Sequence, residues 1–492
     1  VTVAIGEAKA TAAAGADGKW MVKIGPLKAG GPLEMTVAGK NTLTIKNVLV
    51  GEVWVCSGQS NMQFGLSRSI NAQAEMAGAD QPEIRLYYVP TDTYAAPVDD
   101  PKSKWHVCSP KLAAGFSAVG YFFGRELHAK LKVPVGLIGC AYGGMPAQTF
   151  TPREAMKQGE FAPIIEAFDK SVEAFPQALA KYNADLPGIK AKYEQDVAKW
   201  AATTRPVDDP KKLAELMAQK PSPPQPPQDP RLISWSPGVL WDSMIHPLLP
   251  YGIAGVIWYQ GESDAERANQ YSALFPFMIQ QWRKGFGQGD VPFLFVQIAN
   301  HMRIAVDASE KSAWAELREA QTKALSLPKT AMAVTIDIGE TGDIHPRNKQ
   351  DVGHRLALGA LKVAYDQDIV WASPMFDSMV VQEGTAVVKF KNVGAGLEVK
   401  QKDGNDARTQ GIGDLKWFAV AGDDHKFVWA QAKVQGADTV LVRSDKVPNP
   451  VAVRYAWANN PMGCNLYSKD GLPASPFRTD DWPGVSGPWP PK

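Results

Sequence analysis

Val53-Trp54-Val55-Cys56-Ser57-Gly58-Gln59-Ser60-Asn61-Met62 begins as an unbroken apolar run and breaks, from Ser57, into small and polar residues. Consecutive apolar residues without alternation describe a strand covered on both faces, as in a parallel sheet held between helices. The same texture returns at Val135-Gly136-Leu137-Ile138-Gly139, Ile253 to Tyr259, Phe293 to Ile298 and Ala331 to Ile336. Helical pattern lies between, as at Gly120 to Leu131, where Phe122, Phe123, Leu127 and Leu131 share a face. Buried strands alternating with amphipathic helices predict an α/β fold on a mostly parallel sheet flanked by helices. Ligands in such sheets sit outside the carboxyl ends of the strands, so chemistry is expected in the polar residues after each run.

Outward from this core, residues 1–50 read as an N-terminal β segment. Lys19 to Ile24 and Asn41 to Ile45 alternate apolar and polar, with turn residues at Gly30-Gly31-Pro32 and Ala38 to Asn41. Residues 51–365 form the expected catalytic unit. It is interrupted at about 152–235 by a stretch rich in Ala, Lys, Glu and Gln, read as surface helices such as Ile189 to Trp200, ending in a proline spacer from Lys220 to Pro230. This insertion is expected to lie over the site as a lid or rim. Residues 366–492 turn β again, at Met379 to Val381, Ala386 to Phe390, Phe427 to Trp429 and Thr439 to Val442, forming a C-terminal β domain with the option of packing on the N-terminal strands.

A chain of 492 residues exceeds one ordinary core. Lys and Arg total 52 against 51 Asp and Glu, and no long basic run is present, so no long-range field draws nucleic acid or anionic lipid. The apolar stretches fall short of a bilayer span. The chain opens on strand-like Val1 to Ile5 without a signal peptide, and a processed start is expected. Cys56, Cys108, Cys140 and Cys464 are too scattered for a disulfide framework and lack metal-ligand spacing. A Cys56–Cys108 bridge would need their strands to be neighbours.

Four polar segments carry candidate chemistry. In Gly58-Gln59-Ser60-Asn61-Met62, Ser60 follows a strand and opens a helix, where its N–H is free to donate and negative charge is favoured; an N-cap serine reads the same. In Tyr142-Gly143-Gly144-Met145-Pro146, paired glycines let the backbone approach a ligand, as they would in a plain tight turn. Trp258-Tyr259-Gln260-Gly261-Glu262-Ser263-Asp264 places a donor amide and two acids past a strand, or is a solvated loop. In Asp343-Ile344-His345-Pro346, an acid beside a histidine can hold the imidazole as a base for a serine. Asp337 rivals Asp343 for that role.

Together these segments resemble the sialate O-acetylesterase family of the SGNH hydrolase superfamily, over about Val48 to Leu358. The specific blocks are Gly51 to Met62, Trp258 to Ser263 and Asp343 to Pro346. The resemblance implies an SGNH-type α/β fold with β-sandwich-like flanks. It implies Ser60 as nucleophile, His345 as general base, Asp343 as orienting acid, and an oxyanion hole from Ser60, Gly143 or Gly144, and Gln260. The superfamily's usual asparagine is here Gln260, and its acid usually stands three residues before the histidine rather than two. Gln59, Asn61, Tyr142, Tyr259 and Glu262 are the candidate substrate contacts, with Tyr142, Trp258 and Tyr259 as aromatic platforms for a pyranose or else as core. No metal or cofactor is expected. The expected substrate is an acetylated carbohydrate, met in the periplasm or after secretion. Acetylxylan or acetyl-xyloglucan hydrolysis, a non-catalytic carbohydrate-binding protein, and a lipase or thioesterase stand as alternatives.

Overall fold

The computed structural model describes residues 1–205, 209–400 and 414–490. Parts of the expected insertion and of the C-terminal β segment therefore lie outside the described residues. The chain begins with four antiparallel strands, β1 (Thr2–Ile5), β2 (Ala8–Thr11), β3 (Gly30–Ala38) and β4 (Thr42–Val50), in the order β2-β1-β3-β4. Their alternation places Val3 opposite Val37 and Ile5 opposite Met35 on one face. Lys19 to Ile24, expected as a strand, is irregular, and Met21 is exposed. Flanked by Gly15, Gly18 and Gly25-Pro26, it has no ladder partner among the described residues.

The apolar runs form a seven-stranded sheet of β5 (Glu52–Gly58), β6 (Gln81–Tyr88), β7 (Trp105–Cys108), β8 (Val135–Ala141), β9 (Gly255–Tyr259), β10 (Phe293–Gln297) and β11 (Thr330–Val334). Its order is β11-β10-β9-β5-β8-β6-β7. Every pair is parallel except β6 with β7. Successive residues of β10 face opposite ways. Phe293 and Phe295 meet Phe275 of helix Ala268–Phe286, whereas Leu294 lies under Gly359 of helix Lys349–Val363. Helices thus cover both faces, which explains the unbroken hydrophobicity of the strands. The chain leaves β5 to build one side of the sheet through β8 and the other through β9. The carboxyl end of β5 is therefore a point where the winding reverses, the position at which such sheets bind ligands.

Among the described residues, the C-terminal part forms two four-stranded sheets and one two-stranded ladder. Arg318 fastens them to the core. Its buried guanidinium donates to the carbonyls of Ile298 and Ala299 after β10, and to those of Ala458 and Asn459. Burial lowers its pKa to about 9. These bonds seat the segment after the strand Ala452–Tyr455 on the loop beyond β10.

The insertion is dominated by one helix, Ala162–Thr204, which runs through Pro176 and Pro187. Val172, Phe175, Leu179, Tyr182, Leu186, Ile189 and Tyr193 recur at alternating spacings of three and four and are all half-buried. The chain returns through Pro221, Pro224, Pro227 and Pro230, half-buried at every third position, the period of a polyproline strand lying on a surface. The helix packs chiefly with helix Pro210–Ala218 and the turn Pro230–Leu232. All four cysteines are free; Cys56 on β5 and Cys108 on β7 are separated by two strands.

Candidate active site

Strand β5 ends at Gly58, whose φ of +132° and contact with Tyr259 exclude a side chain; a Cβ there would lie 2.2 Å from the Tyr259 carbonyl oxygen. This close approach brings the chain at once into the short helix Ser60–Gln63. The Met62 and Gln63 N–H groups return to the Gln59 carbonyl, as the start of a helix requires. The Ser60 N–H is left without a partner among the described residues.

Each of the other three loops is joined to this turn. The Tyr142 N–H donates to the Gly58 carbonyl, and the Gly143 N–H donates to Gln63 Oε1 at 3.0 Å. A Cβ on Gly143 would sit 3.4 Å from the Ser60 Cβ, so a glycine lets this loop lie against the serine. Gln59 Oε1 accepts from the Gly261 and Ser263 N–H groups, each at 3.3 Å. Asn61 Nδ2 donates to Glu262 Oε1 at 2.6 Å and to the Ile344 carbonyl at 3.0 Å. Segments distant in sequence therefore meet around residues 58–63.

His345 stands at the mouth of this assembly, its ring stacked 6.4 Å from Phe64. Asp343 Oδ1 accepts from the His345 backbone N–H at 2.8 Å and lies 3.3 Å from its Nδ1. Burial holds the imidazole pKa below its ordinary value, and the cations of Lys349 and Arg68 push the same way against the opposing pull of Asp343. The bond from the His345 backbone keeps the Asp343 carboxyl below its usual range, with the imidazole charge adding to it. Among the described residues, Ser60 Oγ and His345 are not hydrogen-bonded to each other; such bonds commonly tighten only when substrate is bound. Asp337, the rival acid, is paired through both oxygens with buried Arg355 at 2.7 and 2.9 Å, and also accepts from Tyr467 Oη.

Several expected contacts lie beneath the site instead of facing it. Tyr259 and Trp258 are wholly buried and belong to the core, not to a sugar platform. Gln59 and Asn61 are buried, with their amides engaged by loop backbone and by Glu262. The Glu262 carboxylate is enclosed, and burial raises its pKa. Gln260 is wholly buried and donates through Nε2 to Asp264 Oδ2 and the Met145 carbonyl. Asp264 also accepts from the Ala147 N–H. In this arrangement Gln260 braces the glycine loop, with its amide nitrogen engaged there by both bonds. The Gly143 N–H is likewise occupied, whereas the Gly144 N–H has no partner among the described residues. Tyr142 is half-buried at the edge.

Sequence reasoning missed three contributors. Gln63 lies in the same block as Ser60. Arg68 is exposed, rests its guanidinium on Phe64 at 4.4 Å, and has no carboxylate partner among the described residues. Lys349 begins the helix after His345, as surface lysines often do, yet is completely buried.

The model of the carbohydrate esterases described as sialic acid-specific acetylesterases matches residues 50–189 and 232–362, more than half the chain. The chain belongs to this family. The matched residues contain all four loops, and the gap between them falls in the insertion. The sialate O-acetylesterase of Rattus norvegicus is 30% identical over 510 residues, covering 95% of this chain and 85% of that protein. The Homo sapiens sialate O-acetylesterase is 29% identical, covering 94% of this chain and 83% of the relative. Among solved structures, a carbohydrate acetylesterase from Xanthomonas citri superposes with a TM-score of 0.77 at 34% identity, covering 98% of this chain and 93% of the other. The chain is thus an ester hydrolase of the carbohydrate acetylesterase kind. Among the described residues, no helix of this esterase is long and apolar enough to cross a membrane.

Proposed function

We propose that this esterase removes O-acetyl groups from an acidic sugar of the sialate type, through an acetyl-enzyme on Ser60. The observation that carries the reading is the Asn61 bridge, which couples the residue after Ser60 to the residue before His345. It links a serine at a helix N-terminus to an imidazole already paired with a carboxylate, the constellation of a serine hydrolase. With its pKa lowered, His345 is neutral at physiological pH and competent as a base.

The ester carbonyl carbon is attacked by Ser60 Oγ while His345 takes the hydroxyl proton. The Asp343 carboxylate holds the Nδ1 side of the ring and stabilises the imidazolium. The sugar alcohol leaves with that proton, and water repeats the sequence on the acetyl-serine. The Ser60 N–H, at a helix start, supports the oxyanion, with the Gly144 N–H as second donor; loss of one such donor typically costs about 10²–10³ in rate. Exposed Arg68 beside His345 favours a sugar bearing a carboxylate over a neutral acetylated xylan. Substrates of this class fit a periplasmic or secreted enzyme.

Acetate release from O-acetyl sialic acid, acetylated xylan, acetylated xyloglucan and an aryl acetate tests the substrate reading. The sialate ester is expected to give the highest kcat/KM. Arg68→Ala is expected to raise KM for the sialate ester about tenfold, on the scale of a lost charge-assisted contact, with KM for the aryl acetate unchanged. Equal turnover of neutral xylan, insensitive to Arg68→Ala, would contradict this reading. Rejection of aryl butyrate would set the enzyme apart from lipases.

A further inference from the structure

Lys349 is completely buried, a condition rare for lysine without a paired charge. Its Nζ donates to Asn61 Oδ1 at 2.5 Å and lies 4.8 Å from the Phe64 ring centroid and 5.1 Å from that of Tyr259. Asn61 is therefore a two-sided bridge. Its oxygen accepts from Lys349, while its nitrogen serves Glu262 Oε1 and the Ile344 carbonyl. Glu262 Oε2 is buried without a partner among the described residues, so the acid is turned inward with its charge opposed by the ammonium across one amide. The four residues link the loops after β5 and β9 to the helix that follows His345.

We infer that Lys349 is a positioning residue for ester hydrolysis: it locks Asn61, and through it fixes the Ser60 turn relative to His345 while keeping positive charge behind the imidazole. Polar fixation of this kind has a physical rationale, since displacement of reacting groups by about 1 Å costs on the order of 10² in rate. It is also unlike a stability device. A buried ammonium is desolvated, and the Lys349 pKa is pushed down to about 7 despite Glu262, Asp343 and Glu340, with Arg68 as the opposing cation. Replacing a buried ion pair with apolar residues is often neutral or stabilising. The groups facing His345 are Asp343, Lys349 and Arg68, so loss of Lys349 removes one of two cations that disfavour the imidazolium.

The inference rests on the Ser60–His345 reading, and Ser60→Ala serves as its control. Lys349→Met, and the double variant Lys349→Met with Glu262→Gln, which leaves no unpaired buried charge, are compared with the wild type on an aryl acetate. The expected result is a fall in kcat of at least about tenfold with KM within about twofold, read as lost transition-state stabilisation. In the double variant Tm is expected not to fall. The acid limb of kcat/KM is expected to move to higher pH, because the imidazole holds its proton more readily. Overturning results are wild-type kcat in both variants, or lost activity with an unmoved acid limb and a lowered Tm in the double variant, which would make Lys349 a packing residue. Turnover retained by Ser60→Ala would instead remove the underlying reading.

Discussion

The Asn61 side chain donates to the Ile344 carbonyl at 3.0 Å across 283 positions of sequence. This contact connects two loops that the sheet brings close without making them touch. Asn61→Ala removes it and also leaves the Glu262 carboxylate and Lys349 ammonium without their shared partner. Unsatisfied buried groups cost about 1–3 kcal/mol, more when charged. Asn61→Ala is expected to lower Tm measurably and kcat by about 10², the scale of small misplacements of reacting groups. Calorimetry and aryl acetate kinetics check both; unchanged kcat in a destabilised variant would deny the bridge its role in alignment.

The pH profile separates the charges that act on His345. Its pKa is lowered in the fold, so the acid limb of kcat/KM is expected below the ordinary histidine value of 6.5. Asp343 raises that pKa, so Asp343→Asn is expected to move the limb lower still, opposite in sign to the loss of Lys349. Because Asp343 is half-exposed, solvent screens it. Its replacement is expected to reduce kcat less than His345→Ala does. An acid limb left unmoved in Asp343→Asn would mean another carboxylate orients the ring.

Asp337 has the opposite profile. It is buried against Arg355 and bonded to Tyr467, joining the core to the C-terminal strands. Breaking a buried pair from one side costs about 3–5 kcal/mol. Asp337→Asn is therefore expected to lower Tm by several degrees while leaving the acid limb in place. Thermal melts and pH–rate profiles distinguish this outcome from a catalytic role.

These contrasts mark where the sequence was informative. Val53 to Cys56 and its sister runs announced buried parallel strands, and the polar residues after three of them do meet at one point because parallel strands end on the same side of the sheet. What the residue string does not encode is which way a loop side chain turns. Gln59, Asn61, Tyr259 and Glu262 read as groups facing substrate, yet the first three are buried and the Glu262 carboxylate is turned inward. Lys349 was invisible for the same reason, since a lysine at a helix start ordinarily reaches solvent. Pro176 and Pro187 each remove a helix hydrogen bond, yet one helix runs through both, carried by an apolar stripe at spacings of three and four.

The most direct test is acetate release by Ser60→Ala beside the wild type on the same acetylated sugar, with thermal melting to establish that both fold. Loss of the proposed nucleophile is expected to reduce kcat by at least about 10³ without lowering Tm, leaving only the residual rate that binding and oxyanion donors sustain. Turnover within tenfold of the wild type in a folded Ser60→Ala protein would contradict the account.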